Sequence, residues 1–290
     1  MTTTYEIIGS NGDHIIFDNY HYSVLRSGLK GLSGYPNDLN LISSPGQIGS
    51  LCSSVTIKPR YVSLPVVIYG LGRAILEAKW SRIVTALNPI NGPSTLIYTR
   101  ADGTRWYLGI YPDSDNPDIV EGVADDAPAM SVTVDLVAPD PCWYCETEIN
   151  LPLRGFVGGF SLPFSLPFSL GGVGTTATIT NPGDTPTPCE IKLIGLLVRP
   201  VVTLVTTGET ITVNRTIDAG EMLTITTAYG NKRVTLAAAD GTVTNAMHYV
   251  TTGSRYLQIP AGTSQVRYTA NEEGPTAMGY LTYTPRRASI

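Results

Sequence analysis

Short hydrophobic runs separated by turn residues dominate the chain and predict mostly β-structure. Apolar runs at 5–9 and 14–17 flank Asn11-Gly12, a dipeptide typical of tight β-hairpin turns. In the last run before the middle of the chain, Val132, Val134 and Leu136 alternate with polar residues. Further strands are predicted at 55–58, 62–69, 95–100, 104–111 and 130–138. The first half of the chain is therefore expected to consist largely of antiparallel strands.

One segment, 73–87, has the spacing of an amphipathic helix instead. Its predicted buried stripe contains Leu76, Trp80, Ile83 and Leu87, widened by Ala74 and Val84, with Arg73, Glu77 and Arg82 facing water. Asn88-Pro89 is expected to end the helix.

Two other segments follow neither pattern. Residues 25–54 are rich in Gly, Ser, Pro and Asn without a clear apolar period, so a long loop or arm is predicted there. Residues 162–170 read LPFSLPFSL, and proline at every fourth position excludes a helix and disfavours a central strand. We expect an extended strap at 151–172, whose Phe and Leu side chains can still dock on a neighbouring surface.

The second half of the chain predicts a β-sandwich. Short apolar runs recur between turn residues at 177–180, 190–198, 201–206, 210–213, 222–227, 232–236, 247–251, 256–259, 265–268 and 279–284. With 290 residues, two domains are expected. The predicted fold is mainly β: an α+β N-terminal module with one main helix at 1–150, the strap at 151–172, and a C-terminal sandwich at 173–290, where strands are expected only after Gly171-Gly172.

Charge and hydropathy exclude several functional classes. A net charge of −5 with 15% charged residues gives no basic face for duplex DNA. The N-terminal residues lack the features of a secretion signal, and no apolar stretch reaches the roughly 20 residues needed to span a bilayer. Cytoplasmic synthesis without membrane insertion is the expectation.

The four cysteines, Cys52, Cys142, Cys145 and Cys189, are too few for a disulfide framework in a chain of this length. Cys142 and Cys145 have C-x-x-C spacing, but no second pair of zinc ligands lies nearby and the pair follows a strand. Buried or semi-buried free thiols are predicted, with metal binding and redox activity as alternatives.

Other motifs are incomplete. Gly70 and Gly72 resemble the start of a dinucleotide-binding turn, but Ile75 occupies the third glycine position, so a tight strand-to-helix turn is expected. Residues 113–118 have the acidic alternation of a calcium loop, yet Asp118 replaces the required glycine. A solvated acidic loop is the expectation.

Catalysis and sugar binding have weaker support. The three histidines, His14, His21 and His248, lie outside short metal-binding motifs, and no nucleophile-elbow motif is present. Several tyrosines of the sandwich offer stacking faces for a sugar, although packing is the expected role of most: Tyr229, Tyr249, Tyr256, Tyr268, Tyr280 and Tyr283. No catalytic, cofactor-binding or metal-binding residue is predicted.

Three segments in this order resemble the distal tail proteins of long-tailed, siphovirus-type bacteriophages. They are the opening hairpin at Asn11-Gly12, the strand with its exit at 134–141, and the Leu-Pro-Phe strap with its Gly-rich exit. The resemblance covers roughly the first 175 residues. The C-terminal third resembles the family only in being β-rich.

This resemblance implies a non-enzymatic structural hub of the phage tail tip. It implies a hexameric ring built by the N-terminal module, with the hairpin, the 25–54 arm and the helix near its interface. Implied partners are the tail tube protein, a tail-associated hub protein and receptor-binding or fibre proteins, with a host cell-wall saccharide as an additional ligand. The implied location is the virion, after assembly from the host cytoplasm. A carbohydrate-binding adhesion protein and an enzyme with a sandwich appendage are the rival hypotheses.

Overall fold

A computed structural model of the chain describes residues 4–113, 124–153, 175–274 and 277–290. The chain divides into two compact units, one formed by residues 1–146 with 287–290 and the other by residues 147–286. Residues 154–172 of the predicted strap and all but the first residue of the acidic 113–118 loop lie outside the described residues, while residues 151–153 are part of a strand.

The N-terminal unit is predominantly β, as predicted. Its strands are β1 (Thr4–Ile8), β2 (His14–Ile16), β3 (Tyr22–Val24), β4 (Asn37–Ile42), β5 (Leu51–Ile57), β6 (Arg60–Tyr69), β7 (Ser94–Thr99), β8 (Arg105–Pro112), β9 (Ala129–Ala138) and β10 (Trp143–Cys145). Its helix is α1 (Arg73–Ala86), followed by a 3-10 turn at Pro89–Asn91. The hairpins β1–β2 and β7–β8 confirm the predictions made from their turn residues.

The main sheet of this unit has the order β2-β1-β7-β8-β9-β6-β3, with β10 beside β8. Strands β2 and β3 form its two edges, although only residues 17–21 connect them. Such a link spans at most roughly 20 Å, so the sheet curls until its edges approach each other. The enclosed core includes Ile7, Leu64, Leu108 and Trp143.

Helix α1 packs into this core through a narrow stripe. Leu76, Trp80 and Ile83 are buried as predicted, and Leu87 is buried at the helix end. Ala74 and Val84 are exposed, which corrects the wider predicted stripe. The reason is geometric: at about 100° per residue, Ala74 lies on the far face of the helix and Val84 lies roughly 80° away from the buried line. Gly72, at φ 94°, forms the tight turn before the helix.

The C-terminal unit contains no α-helix in the residues described. Its strands are β11 (Ile149–Leu153), β12 (Thr175–Asn181), β13 (Thr187–Ile194), β14 (Leu197–Val198), β15 (Val201–Leu204), β16 (Glu209–Thr212), β17 (Thr216–Ile217), β18 (Met222–Thr226), β19 (Arg233–Ala237), β20 (Val243–Asn245), β21 (Gln258–Ile259), β22 (Gly262–Thr269), β23 (Glu272–Glu273) and β24 (Met278–Tyr283). A last short strand, β25 (Arg286–Arg287), leads into residues 287–290 of the N-terminal unit.

Two principal sheets enclose the core of this unit, in the orders β11-β24-β13-β18-β19-β20 and β12-β22-β15-β16. The sheet-rich structure agrees with the predicted sandwich, with two local corrections. The predicted strand at 247–251 is instead a 3-10 turn at Met247–Tyr249, because the Asn245 side chain accepts a hydrogen bond from the Met247 amide at 2.9 Å. Strand β11 pairs with β24, so strands of this unit begin before Gly171-Gly172.

Candidate assembly surface

The 25–54 segment contains a β-hairpin that projects its side chains into solvent. Strands β4 and β5 pair from Asn37↔Ile57 to Ile42↔Leu51, with a bulge after Asn40. Every residue of both strands is exposed. The prediction of a structureless arm was therefore wrong in its local structure, because a period-two pattern runs through both strands.

This hairpin, which we call the ribbon (residues 37–57), is amphipathic. Leu39 lies opposite Val55 and Leu41 opposite Cys52, so their side chains share one face together with Ile57. The other face has the polar pair Asn40 and Ser54 across the strands, and it ends with the apolar pair Ile42 and Leu51. Leu39, Leu41, Val55 and Ile57 are 47–58% exposed. One face of the ribbon is therefore apolar, and none of the residues that the structure describes covers it.

Cys52 is exposed, because it lies on the ribbon. The burial predicted for the C-x-x-C thiols concerns Cys142 and Cys145. Cys142 and Cys189 are buried and Cys145 is partly buried, as expected. Burial raises the pKa of the Cys189 thiol to about 12. Among the described residues, no group of three or more His, Cys, Asp or Glu side chains has an arrangement that would hold a metal ion.

The root of the ribbon is fixed by a buried arginine, Arg60, which is 1% exposed. Its guanidinium donates hydrogen bonds to the carbonyl oxygens of Gly31 at 2.7 Å and Gly34 at 2.8 Å. The same group donates to the carbonyl oxygens of Pro141 and Ala288, both at 2.8 Å. Burial lowers the pKa of Arg60, while the nearby Cys142 and Tyr35 side chains act in the opposite direction.

Further contacts hold the same root segment. Trp143 Nε1 donates to the carbonyl oxygen of Leu32 at 3.2 Å, and Tyr35 Oη lies 3.3 Å from Cys142 Sγ. The Lys58 amide donates to the Pro36 carbonyl at 2.9 Å, closing the base of the ribbon. The C-x-x-C segment thus packs against the root of the ribbon.

A concave surface lies at the other end of β6, between α1 and residues 14–22. This cavity, which we call the α1 groove, has a volume of about 580 Å³. Its apolar lining includes Ile16, Ile75 and Ala78. Its charged and titratable lining consists of His14, Asp18, His21, Tyr22, Lys79 and Arg82. Arg82 donates to the carbonyl oxygen of His14 at 3.1 Å and links α1 to β2.

Each of the three histidines contacts another side chain in the structure. His14 Nε2 lies 2.9 Å from Glu6 Oε2, and His21 Nδ1 lies 2.8 Å from Asp18 Oδ2. The ring of His248 lies 3.9 Å from that of Tyr249, centroid to centroid.

The candidate tyrosines of the C-terminal unit have different environments. Tyr268 and Tyr283 are buried in the core, as expected for packing residues. Tyr229 is exposed, and Lys232 Nζ lies 5.8 Å from its ring centroid and 5.4 Å from that of Tyr256. In the part of the chain described, no helix has the length and hydrophobicity needed to cross a membrane.

Comparison with known proteins gives the same fold over both units. The SPP1 Dit protein, described as a paradigm of the hub adsorption apparatus in phages that infect Gram-positive bacteria, matches with a TM-score of 0.67. The match covers 97% of this chain and 98% of that chain at 12% identity. A chain of the phage P2 baseplate, in its activated conformation with Ca, matches with a TM-score of 0.53, at 13% identity and 100% coverage of both chains.

A family model matches one part of the sequence. Residues 182–286 match the family model of the siphovirus-type tail component, C-terminal domain. No curated protein sequence matches the chain. The C-terminal unit therefore contains a siphovirus-type tail component domain, and the chain as a whole has the fold of the SPP1 Dit protein.

Proposed function

We propose that the N-terminal unit closes a hexameric ring at the tail tip and that the ribbon contacts the neighbouring copy. The uncovered apolar face of the ribbon carries this proposal. A two-stranded hairpin alone is at best marginally stable in water, so an ordered ribbon benefits from a covering surface. The number six comes from the likeness to distal tail proteins.

Burying the apolar face of the ribbon against another subunit contributes enough free energy to drive association. Fully burying a Val, Leu or Ile side chain contributes about 1.5–3 kcal/mol. Four such side chains, each about half exposed, therefore contribute roughly 3–6 kcal/mol per interface when covered. A closed ring repeats this contact at every subunit, because its interface joins two different surfaces of the same chain.

The C-terminal unit, in this proposal, holds other tail-tip proteins. Its family domain and the baseplate relative support contacts with receptor-binding or fibre proteins, while the ring itself joins the tail tube protein and a tail-associated hub protein. The protein is made in the host cytoplasm and ends in the virion without a catalytic role. Mass spectrometry of purified virions checks the location.

A cell-wall saccharide is the additional ligand proposed for this unit. Tyr229 offers an exposed ring beside Lys232, which is the observation that favours it. Binding of the protein to a glycan array that is lost in Tyr229→Ala would support this role. Absence of binding to any glycan on the array would contradict it.

The ring proposal is tested on the full chain by light scattering and negative-stain imaging. Replacing the apolar pair Leu39→Asn with Val55→Ser makes that face of the ribbon polar. Loss of about 1.5–3 kcal/mol per interface weakens association by roughly ten- to hundredfold. The matched control changes the polar face, with Asn40→Ser and Ser54→Asn, and should leave rings intact. A wild-type chain that stays monomeric at high concentration, even with the tail tube protein added, contradicts the ring.

A further inference from the structure

The ring proposal leaves open which surface of the neighbouring copy receives the ribbon. That surface must lie on the same chain, be apolar, and be out of reach of the chain's own ribbon. Apart from the ribbon, the α1 groove brings exposed apolar residues of the N-terminal unit together in a concave site: Ile16 and Ile75 are each 47% exposed there.

We propose that the α1 groove of one copy receives the ribbon of the next copy, with the apolar face of the ribbon on Ile16, Ile75 and Ala78. This inference rests on the proposed ring and identifies the receiving surface within it. The ring interface then joins the ribbon of one subunit to α1 and residues 14–22 of its neighbour.

The geometry of β6 separates donor and receiver. Arg60, which fixes the ribbon root, begins β6, and Tyr69 ends it beside the groove, where Lys79 Nζ donates to the Tyr69 carbonyl oxygen. A strand from Arg60 to Tyr69 spans roughly 30 Å, whereas strand β4, from Asn37 to Ile42, reaches only about 20 Å. The apolar face of a chain's own ribbon, which ends at Leu41 and Cys52, therefore falls short of its own groove. Surfaces at opposite ends of one subunit are what a head-to-tail ring requires.

The charges of the two surfaces are compatible. Residues 37–57 contain one charged side chain, Asp38, and its Oδ2 lies 2.8 Å from Lys58 Nζ, so the ribbon offers no unpaired charge that would repel the groove. The groove is lined by two permanent cations, Lys79 and Arg82, against one carboxylate, Asp18, which leaves one positive charge with neutral histidines. The rim cations also provide N–H donors for carbonyl oxygens along the outer edges of the ribbon, which pair with no other strand of the described residues.

Cross-linking tests the pairing directly, because Cys52 is a natural exposed thiol on the apolar face of the ribbon. In a Cys145→Ser background, Ala78→Cys places a thiol in the groove, and a short bismaleimide should link it to Cys52 of the next copy. The expected product is a covalent ladder that ends at the size of the ring. Ala101→Cys, in the exposed turn between β7 and β8, is the matched control and should yield no ladder.

The outcomes separate this inference from the ring proposal. If imaging shows rings but Ala78→Cys gives no cross-linked ladder, the α1 groove is not the receiving surface, and the ring proposal still holds. Equal ladders from Ala78→Cys and Ala101→Cys indicate random collision and also overturn the α1 groove as the receiving surface. Absence of both rings and ladders contradicts the ring and the groove together.

A second pair of variants needs no cross-linker. Ile75 and Val84 are exposed apolar residues of α1, 47% and 51% exposed, on opposite sides of its buried stripe. Ile75→Gln removes apolar contact in the groove and should weaken ring association about tenfold. Val84→Gln changes an equally exposed side chain outside the groove and should leave association unchanged. Equal effects of the two variants, or rings that resist Ile75→Gln, would refute the docking site.

Discussion

Replacing Arg60 by methionine should destabilise the N-terminal unit strongly, although the side chain lies outside the apolar core. Methionine keeps much of the length and packing of arginine but has no donor. The carbonyl oxygens of Gly31, Gly34, Pro141 and Ala288 then lose their hydrogen bonds from the guanidinium. Four separate chain positions lose a common attachment point.

The size of the effect follows from two opposing contributions. A buried acceptor left without a partner costs about 1–3 kcal/mol, so four of them cost at least about 4 kcal/mol. Removing a desolvated cation returns part of this free energy, and water can reach some of the carbonyl groups. We therefore expect a net loss of about 3–5 kcal/mol from the 5–15 kcal/mol that is typical of a domain.

Calorimetry of the full chain measures this loss. For a unit of this size, each kcal/mol lowers the melting temperature by roughly 2–4 °C, so the transition of the N-terminal unit should fall by roughly 6–20 °C. The transition of the C-terminal unit should stay in place. Arg26→Met, at an exposed position of the same unit, is the control and should change stability by no more than about 0.5 kcal/mol. Equal melting curves for the two variants would refute the role assigned to Arg60.

Three further outcomes are expected. Trp80→Ala, which empties a 5%-exposed site in the core, should cost about 3–5 kcal/mol and abolish rings; calorimetry that finds the N-terminal transition unmoved would contradict the packing of α1. A fragment of residues 147–286 should fold alone and keep β11, whereas one that starts at 173 should be less stable by circular dichroism; equal stability would show that β11 is dispensable. Thiol mapping of the folded chain at pH 8 should label Cys52 and spare Cys189, whose pKa of about 12 keeps the thiol protonated. Because a cysteine thiol in an unfolded chain has a pKa near 8.5, the contribution of Cys189 to stability is lost as the pH rises from about 8.5 towards 12. Rapid labelling of Cys189 would contradict its burial.

The elements with strong local patterns were predictable from the sequence. Helix α1 and the β1–β2 and β7–β8 hairpins have dense apolar spacing and clear turn residues. The ribbon was missed because its two short alternating runs are embedded among Gly, Ser and Pro, and because the bulge after Asn40 shifts the register. Alternation shows that one face is apolar; it does not show whether the same chain covers that face.

The role of Arg60 could not be predicted from the sequence, for a different reason. Its hydrogen-bond acceptors are backbone carbonyl groups, which every residue has, and they lie between 26 and 228 positions away along the chain. A buried ion pair would have required a carboxylate that a sequence can reveal. A guanidinium that binds only backbone is visible once the fold has brought those segments together.

The fourth Arg60 acceptor, Ala288, has a consequence for the timing of synthesis. Residues 287–290 belong to the N-terminal unit but follow the whole of residues 147–286 in the chain. At a translation rate of about 5–20 residues per second, the ribosome takes roughly 7–28 s to make that intervening unit. During this interval the N-terminal unit lacks the segment that completes the Arg60 site. The N-terminal unit is therefore completed only after the second unit has been synthesised.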